Sequence, residues 1–544
     1  MKFFKFIKRE GNFNNKVVWV NSISGILSIA VASVIVTGAD NVKPGEIQLD
    51  AIILFVTLVA SYYLARYYAL SRISTHVEHV INETRKRISD KIQRTNLKNF
   101  EGIGKEYFYT TLTTDSQIIS QSSIQIINAS GSLVMALSGS IALLIISLPA
   151  FIVTMTLLAA ITSLYLSMRK MVVGDLVKIS EKENQFFAAL NDLLLGFKEL
   201  KLNSDKSEGF IKNHLHKLAN EVFELKAHVA NRVSKAIILS QIFMYIIIGT
   251  IVFILPNIQP DEINAIAPAV ALLLFMNGPI VEVVGLVNIL DRTNNCIDNL
   301  ENIENTLDSF QNSQIAIENK EVRHKDFSGF NTLKCENAVF SYADEKYGSS
   351  FTLGPMNFEL TKNEIVFIVG GNGSGKSTFL KILTSLYRPD EGKIYIDGNP
   401  LSSDRLTAYR NLFSPIFVDF HLFERFYGKH ELDDDKVDAL LDQMGLSGTT
   451  DIIDKKITRR ELSTGQRKRL ALIVSILEDK AIFLFDEVAA DQDPVFRKYF
   501  YETIIPNLKS EGKTVIAVTH DDKYFSVADR VLKMDYGKLV SYVD

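Results

Sequence analysis

Cysteine is almost absent. Cys296 and Cys335 are the only two in 544 residues, which excludes a disulfide framework and leaves too few thiolates for a zinc cluster, so both read as structural or incidental. A strong charge imbalance is also missing. The 59 Lys and Arg against 63 Asp and Glu leave a net charge of -4, so nucleic acid is not suggested as a partner. What charge there is falls unevenly: the first half carries long runs nearly free of it, and the second half has the texture of a soluble α/β protein. The length suits two or three domains.

Those nearly charge-free runs are long enough to cross a bilayer. They are Val17–Val36, Ala51–Leu70, Ile124–Ile146, Ala150–Met168, Ala236–Leu255 and about Ile263–Leu290, and six spans are expected. The first run is long for a signal-peptide core and starts far from Met1, so cleavage is not expected. The lone Trp19 sits near its start, where an aromatic belt would lie. Lys and Arg are scarce in Asp40–Asp50, Ser147–Pro149 and Pro256–Glu262 but frequent in Ser71–Ser123 and Arg169–Lys235. The positive-inside rule therefore places both long segments and both termini in the cytoplasm. The long segments keep helical periodicity without the apolarity of a span, which predicts two helical hairpins reaching beyond the bilayer. Met1–Arg9 alternates Phe3, Phe4, Phe6 and Ile7 with lysines and an arginine, the pattern of a basic segment on the cytoplasmic membrane face. Ser132, Ala136 and Ser140 recur every four residues, with Asn128 one turn earlier; this fits close helix packing or a polar translocation surface. Glu282 is the clearest intramembrane charge, either functional or close enough to the cytoplasm to reach water. Gly278-Pro279 just before it is expected to loosen that helix.

The second half opens with a different signal. Ile365-Val366-Phe367-Ile368-Val369 reads as a buried strand, and Gly370-Gly371-Asn372-Gly373-Ser374-Gly375-Lys376-Ser377-Thr378 then leads into an apolar-periodic helix. This is a P-loop. Its glycines let successive N–H groups face one point at a helix N-terminus, making a nest for phosphate. Lys376 would reach the β- and γ-phosphates, and the Ser377 hydroxyl would ligate Mg²⁺. Downstream, Ala481–Phe485 reads as a second buried strand ending in Asp486 and Glu487. After a P-loop, the first acid helps hold Mg²⁺ and the second can orient or deprotonate the attacking water. A third strand, Thr514–Thr519, ends at His520, which could contact a γ-phosphate.

Leu462-Ser463-Thr464-Gly465-Gln466, followed by Arg467 and an apolar helix, resembles the signature of ATP-binding-cassette (ABC) proteins. The resemblance is close from about Leu333 to the C-terminus, and the six-span half looks like an exporter-type membrane domain. It implies a multi-domain fold: an all-α six-helix transmembrane domain over 1–300, a linker over 301–328, and an α/β P-loop ATP-binding cassette over 329–544. It implies ATP and Mg²⁺ as cofactors, Tyr342 stacking on adenine, and Gly370 to Thr378 holding the phosphates. Ser377 and Asp486 would hold the metal, with Glu487 the catalytic base, His520 the switch histidine and Lys376 the phosphate lysine. Ser463, Thr464, Gly465 and Gln466 would contact nucleotide on the other subunit, so the chain would be half of a homodimer in the bilayer.

Two departures narrow the match. The stretch Ser414–Phe423 has no glutamine where most cassettes have one, leaving Asp419 or His421 as candidates to sense Mg²⁺. After Glu487, Ala490-Asp491-Gln492-Asp493 replaces the usual Ser-Ala-Leu-Asp. Both forms, with His520–Phe525, Asn99–Asp115 and Leu195–Phe210, look like the cyclic peptide exporter branch, which includes exporters of pyoverdine-type siderophore precursors and syringomycin-type lipopeptides. The last two segments are the candidates to press on the cassette. The resemblance implies ATP-driven export of a peptide-type natural product across a bacterial inner membrane. A lipid flippase or general drug exporter is the nearby alternative. A membrane-anchored ATP-sensing regulator is the alternative from another class, and a degraded catalytic set would mark it. Here Lys376, Ser463, Gly465, Asp486, Glu487 and His520 are all present.

Overall fold

The computed structural model describes residues 2–9, 15–40, 47–312, 329–344, 349–428 and 431–542. The chain divides into two compact units, Met1–Ser89 with Phe108–Glu304, and Asp90–Tyr107 with Asn305–Asp544.

The first unit is helical. Its main helices are Asn15–Asp40, Leu49–Gln93, Ser116–Ile146, Leu148–Leu195, His216–Gly249 and Ile263–Asn312. Among the described residues, five helical stretches are long and apolar enough to cross a membrane, not the six expected. The run expected over Ala150–Met168 contributes a shorter apolar stretch, Leu148–Ala160, and then enters positions whose side chains lie outside the described residues. A real break precedes it: the Ser147 side chain caps the new helix by accepting from the Ala150 N–H, and Pro149 sits in the first turn where its missing N–H costs nothing. The helix Leu49–Gln93 has 45 residues, about 68 Å at 1.5 Å per residue, more than twice a hydrocarbon core of about 30 Å. The last helix stays helical through Pro268 and Pro279 and runs on to Asn312, into the stretch expected to be linker; residues 313–328 lie outside the described ones.

The N-terminal segment departs from expectation. Helix Lys2–Arg9 buries Phe3, Phe6 and Ile7 in protein instead of lying on a membrane face. The reason is a row of acids on the last helix: Lys2 pairs with Asp298 at 2.6 Å and Arg9 with Glu304 at 3.0 Å. Glu304 is buried and also takes Arg87, so two guanidinium groups compensate one desolvated carboxylate. Close packing is carried by glycines beside the serine–alanine stripe, of which Ser132 is itself buried. A Cβ on Gly25 would sit 2.7 Å from the Gly131 carbonyl oxygen, and one on Gly139 would sit 2.7 Å from the Met276 sulfur. Ser140 spends its hydroxyl on its own helix at Ala136.

The second unit has two main sheets. The larger runs, in order, Lys538–Ser541, Arg530–Asp535, Ile365–Val369, Thr514–Val518, Ile482–Asp486 and Phe413–Ile416. It is parallel except for the edge strand Lys538–Ser541. Its centre is buried on both faces, as the uniform apolar runs predict. Ile365 and Phe367 pack into one core with Phe485, Leu470 and Phe500, while Val366 and Ile368 pack into another with Phe379, Leu380 and Leu383. The second sheet is antiparallel, in the order Ser349–Thr361, Thr332–Asp344, Glu391–Ile396, Asn399–Pro400.

The glycine contacts make a test. Gly25→Ala must push two backbones apart and is expected to lower stability by about 1–3 kcal/mol. Gly174→Ala, where an added Cβ meets nothing within 4 Å, should leave it unchanged or slightly raised. Thermal unfolding of both variants in detergent checks the contrast.

Candidate functional site

Strand register builds the site. Val518 pairs with Ile368 on one side and Asp486 on the other, so the P-loop, the acidic pair and His520 all leave the sheet at the carboxyl ends of three adjacent parallel strands. Ligands in open α/β sheets bind at that edge.

The P-loop leaves Val369 through Gly370, whose φ is 148°; a Cβ there would lie 2.3 Å from the Met534 carbonyl oxygen. It enters the helix Lys376–Leu383 through Gly375 at φ 105°, where a Cβ would lie 2.3 Å from Leu353. Only glycine satisfies both the left-handed backbone and the close approach. Lys376 is buried, and its ammonium donates to the carbonyls of Gly370 at 2.8 Å and Gly371 at 3.0 Å. It therefore points along the loop that would cradle phosphate. Gly371, Asn372, Gly373 and Ser377 are exposed, and Ser374 and Thr378 are half-buried.

Three catalytic candidates converge. The Glu487 carboxylate lies 4.0 Å from the Lys376 ammonium and 3.4 Å from His520 Nε2. Glu487 itself has φ 53°, a left-handed backbone unusual for a non-glycine residue and held by its N–H bond to the Val518 carbonyl. Asp486 beside it is buried, and neither carboxylate oxygen has a hydrogen-bond partner. Burial raises its pKa from the ordinary aspartate value. The nearby Ser377 hydroxyl offsets part of that without closing a well-formed bond, and the charges of Glu487 and Asp419 add to the rise. The Ser374 hydroxyl is a second buried, unpartnered group. An unpaired carboxylate beside Ser377 and a buried lysine suits a Mg²⁺–triphosphate, which would supply the missing partners. Ser377 and Asp486 would hold the cation, and Lys376 with the loop N–H groups would hold the phosphates.

Tyr342 lies on the strand Thr332–Asp344, the residue 41% exposed and its ring tilted on Phe340, where it could stack a base. Ser463 caps the helix Thr464–Glu478 in a reciprocal capping box with Gln466. Ser463 and Thr464 are exposed, Gly465 and Gln466 half-buried. Among the described residues no hydrogen bond or ion pair joins these four to Gly370–Thr378.

Sequence reasoning missed the ties that set the signature helix. Lys468 donates to the Glu487 carbonyl at 2.8 Å and pairs with Asp491 at 2.7 Å. Gln492 donates to the Gly465 carbonyl at 3.0 Å and accepts from Arg469, which also pairs with Asp493. The unusual Ala490-Asp491-Gln492-Asp493 thus braces the signature helix. The signal was available: Lys468 and Arg469 follow the signature within one turn. The two candidates for the missing glutamine also separate. The charge of Asp419 bears on Asp486, whereas His421 packs edge-on against Phe423 in a groove of about 420 Å³ lined by Ile457 and Glu478. Of the segments expected to press on the cassette, Asn99–Asp115 is divided: residues 99–107 belong to the second unit, where Glu101 binds Lys381 at 3.1 Å and accepts from the Tyr387 hydroxyl, and residues 108–115 belong to the first. Leu195–Phe210 belongs to the first unit and exposes Leu195, Phe197 and Leu202.

Residues 353–490 match the ABC transporter family. The chain is also 30% identical over 530 residues to the ATP-binding protein SyrD of Pseudomonas syringae pv. syringae, covering 96% of this chain and 92% of that protein. This chain belongs to the ABC transporter family. The energy-coupling factor transporter ATP-binding protein EcfA1 of Mycoplasmoides gallisepticum is similar over 223 residues at 34% identity, 38% of this chain and 76% of that protein. The solved structure of a bacterial Atm1-family ABC exporter with ATP bound shares the fold, with a TM-score of 0.73 at 17% identity over 97% of this chain and 95% of that one. This ABC transporter is an exporter-type half-transporter and a multi-pass membrane protein, and its cassette is an ATPase that uses ATP and Mg²⁺.

The unpaired Asp486 gives a prediction. Asp486→Asn removes a desolvated charge, so the nucleotide-free protein should melt about 2–4 °C higher at neutral pH. The same variant should lose its stabilisation by Mg²⁺–ATP. Thermal melts with and without Mg²⁺–ATP check both.

Proposed function

We propose that this ABC exporter moves a peptide-type natural product, such as a cyclic peptide, lipopeptide or siderophore precursor, out across the bacterial inner membrane. It acts as a homodimer with both termini in the cytoplasm. The observation that carries the motor half of this reading is the convergence of Glu487 on Lys376 and His520 beside the unpartnered Asp486. In it, Glu487 is the general base for the attacking water, His520 and Lys376 hold the γ-phosphate, and Ser377 and Asp486 hold Mg²⁺. Asp419, whose charge already bears on Asp486, takes the place of the missing glutamine. Tyr342 stacks on adenine.

The homodimer follows from chemistry left unused within one chain. Ser463 and Thr464 are exposed at the N-terminus of a 15-residue helix, where free N–H groups favour an anion. A second copy supplies the nucleotide for them and completes two shared sites. ATP then favours the closed dimer by its differential affinity for that state, and hydrolysis releases it. Support for peptide cargo comes from the relationship with SyrD across 92% of that protein and from the cassette's departures at Ser414–Phe423 and Ala490–Asp493.

Glu487→Gln is expected to lower turnover by roughly 10²–10⁴-fold while ATP still binds; a wild-type rate would remove Glu487 from the chemistry. For the cargo, metabolites of cytoplasm, periplasm and medium are profiled in cells carrying the wild type, Glu487→Gln or no exporter. A peptide that builds up inside the last two supports the reading. Altered phospholipid distribution alone would make the protein a flippase, and a change only in tolerance of unrelated drugs would make it a general drug exporter.

A further inference from the structure

The second apolar run contains a charge that the hydropathy pattern conceals. Arg66 lies in the membrane-spanning part of the helix Leu49–Gln93, and no carboxylate pairs with it among the described residues. Neutral amides hold it instead: Arg66 donates to the Asn21 side chain at 2.9 Å and to Asn128 at 2.8 Å. Asn21 is buried and fixed in turn by the Ile127 carbonyl and Ser130. Gly131 makes the room, since a Cβ there would lie 2.5 Å from the guanidinium. One turn beyond Asn128 on the same helix, Ser132 donates to the Glu282 carboxylate at 2.5 Å. Glu282 likewise has no cation paired with it among the described residues.

The two charges lie at one depth. Arg66 is about 17 residues from Leu49, Asn128 about 18 from Ile146, Asn21 about 19 from Asp40 and Glu282 about 19 from Ile263, so each lies about 26–29 Å from the end of its helix away from the basic loops. That is the far edge of a hydrocarbon core of about 30 Å, on the side of the basic loops. Asn128 and Ser132 are separated by about 6 Å along their helix, a spacing comparable to that between the two ends of a small zwitterion. Unpaired charges at membrane depth are costly, and the three neutral side chains bonded to them do not cancel either one. A purely structural polar lock would be cheaper if Arg66 and Glu282 were paired directly. The guanidinium has five donors, and the described bonds use its two terminal nitrogens once each.

We infer that Arg66 and Glu282 form a loading site for a zwitterionic substrate at the entrance to the spans. Arg66 takes the substrate carboxylate and Glu282 its ammonium, while Asn21, Asn128 and Ser132 hold the two side chains apart. The inference rests on the reading of this protein as an exporter and adds a charge rule to its cargo.

The test uses the full-length protein in liposomes and reads stimulation of its ATPase. One probe series is an apolar pentapeptide with free termini, with its N-acetylated and C-amidated forms. The other is N-dodecyl-β-alanine with dodecylamine and dodecanoate. The zwitterion of each series should act at a roughly tenfold lower concentration than either singly charged form. Arg66→Gln should abolish the advantage of the carboxylate and Glu282→Gln that of the ammonium, with basal ATPase retained in both. If only the alkyl series behaves so, the loading site stands and peptide cargo falls. If neither series depends on head-group charge, or neither stimulates at all, the inference is overturned. A loss of thermal stability in Arg66→Gln with the charge preference intact would show a structural lock and overturn it equally.

Discussion

Everything chemical in the cassette depends on the register of three parallel strands. Ile365–Val369, Thr514–Val518 and Ile482–Asp486 are paired so that Ile368, Val518 and Asp486 lie abreast. A side-chain period of two means that a slip of one residue would turn every core side chain to the opposite face. Here both faces are packed, Ile365 and Phe367 into one core and Val366 and Ile368 into the other. The register is thereby held by burial, and with it the meeting of Lys376, Glu487 and His520. The strained backbone at Glu487 and the unpartnered carboxylate of Asp486 are tolerated because the surrounding packing over-determines them.

Much of this was legible in the sequence because it is local. Gly370 to Thr378 is a contiguous motif whose geometry follows from glycine conformations, and the runs ending at Asp486 and Thr519 announce buried strands. The membrane runs were readable for the same reason, since apolarity over some 20 residues has few other uses. The fourth run was the exception, and it emerges as the opening of a 48-residue helix with a short apolar start.

What stayed hidden is non-local. Lys468 reaches the Glu487 carbonyl across 19 positions, and Glu101 reaches Lys381 across 280; no periodicity encodes either meeting. Arg66 was masked by its apolar neighbours, because an averaged hydropathy absorbs one arginine among many aliphatic and tyrosine residues. The N-terminal helix misled for a related reason. Its amphipathic pattern is the same whether the apolar face meets lipid or protein, and only the acids at Asp298 and Glu304 decide the matter. The serine–alanine stripe was overshadowed by Gly25, Gly131 and Gly139, whose close contacts depend on partners elsewhere in the chain.

The central claim is that the P-loop of one chain is completed by Ser463–Gln466 of another. Lys376→Ala disables a P-loop and Gly465→Asp disables a signature, so each variant alone should be inactive. When the two are co-expressed and reconstituted together, a mixed dimer keeps one site with an intact P-loop and an intact signature, and ATPase activity should reappear. If the mixture stays as inactive as its components, the nucleotide site is complete within a single chain and the account is wrong.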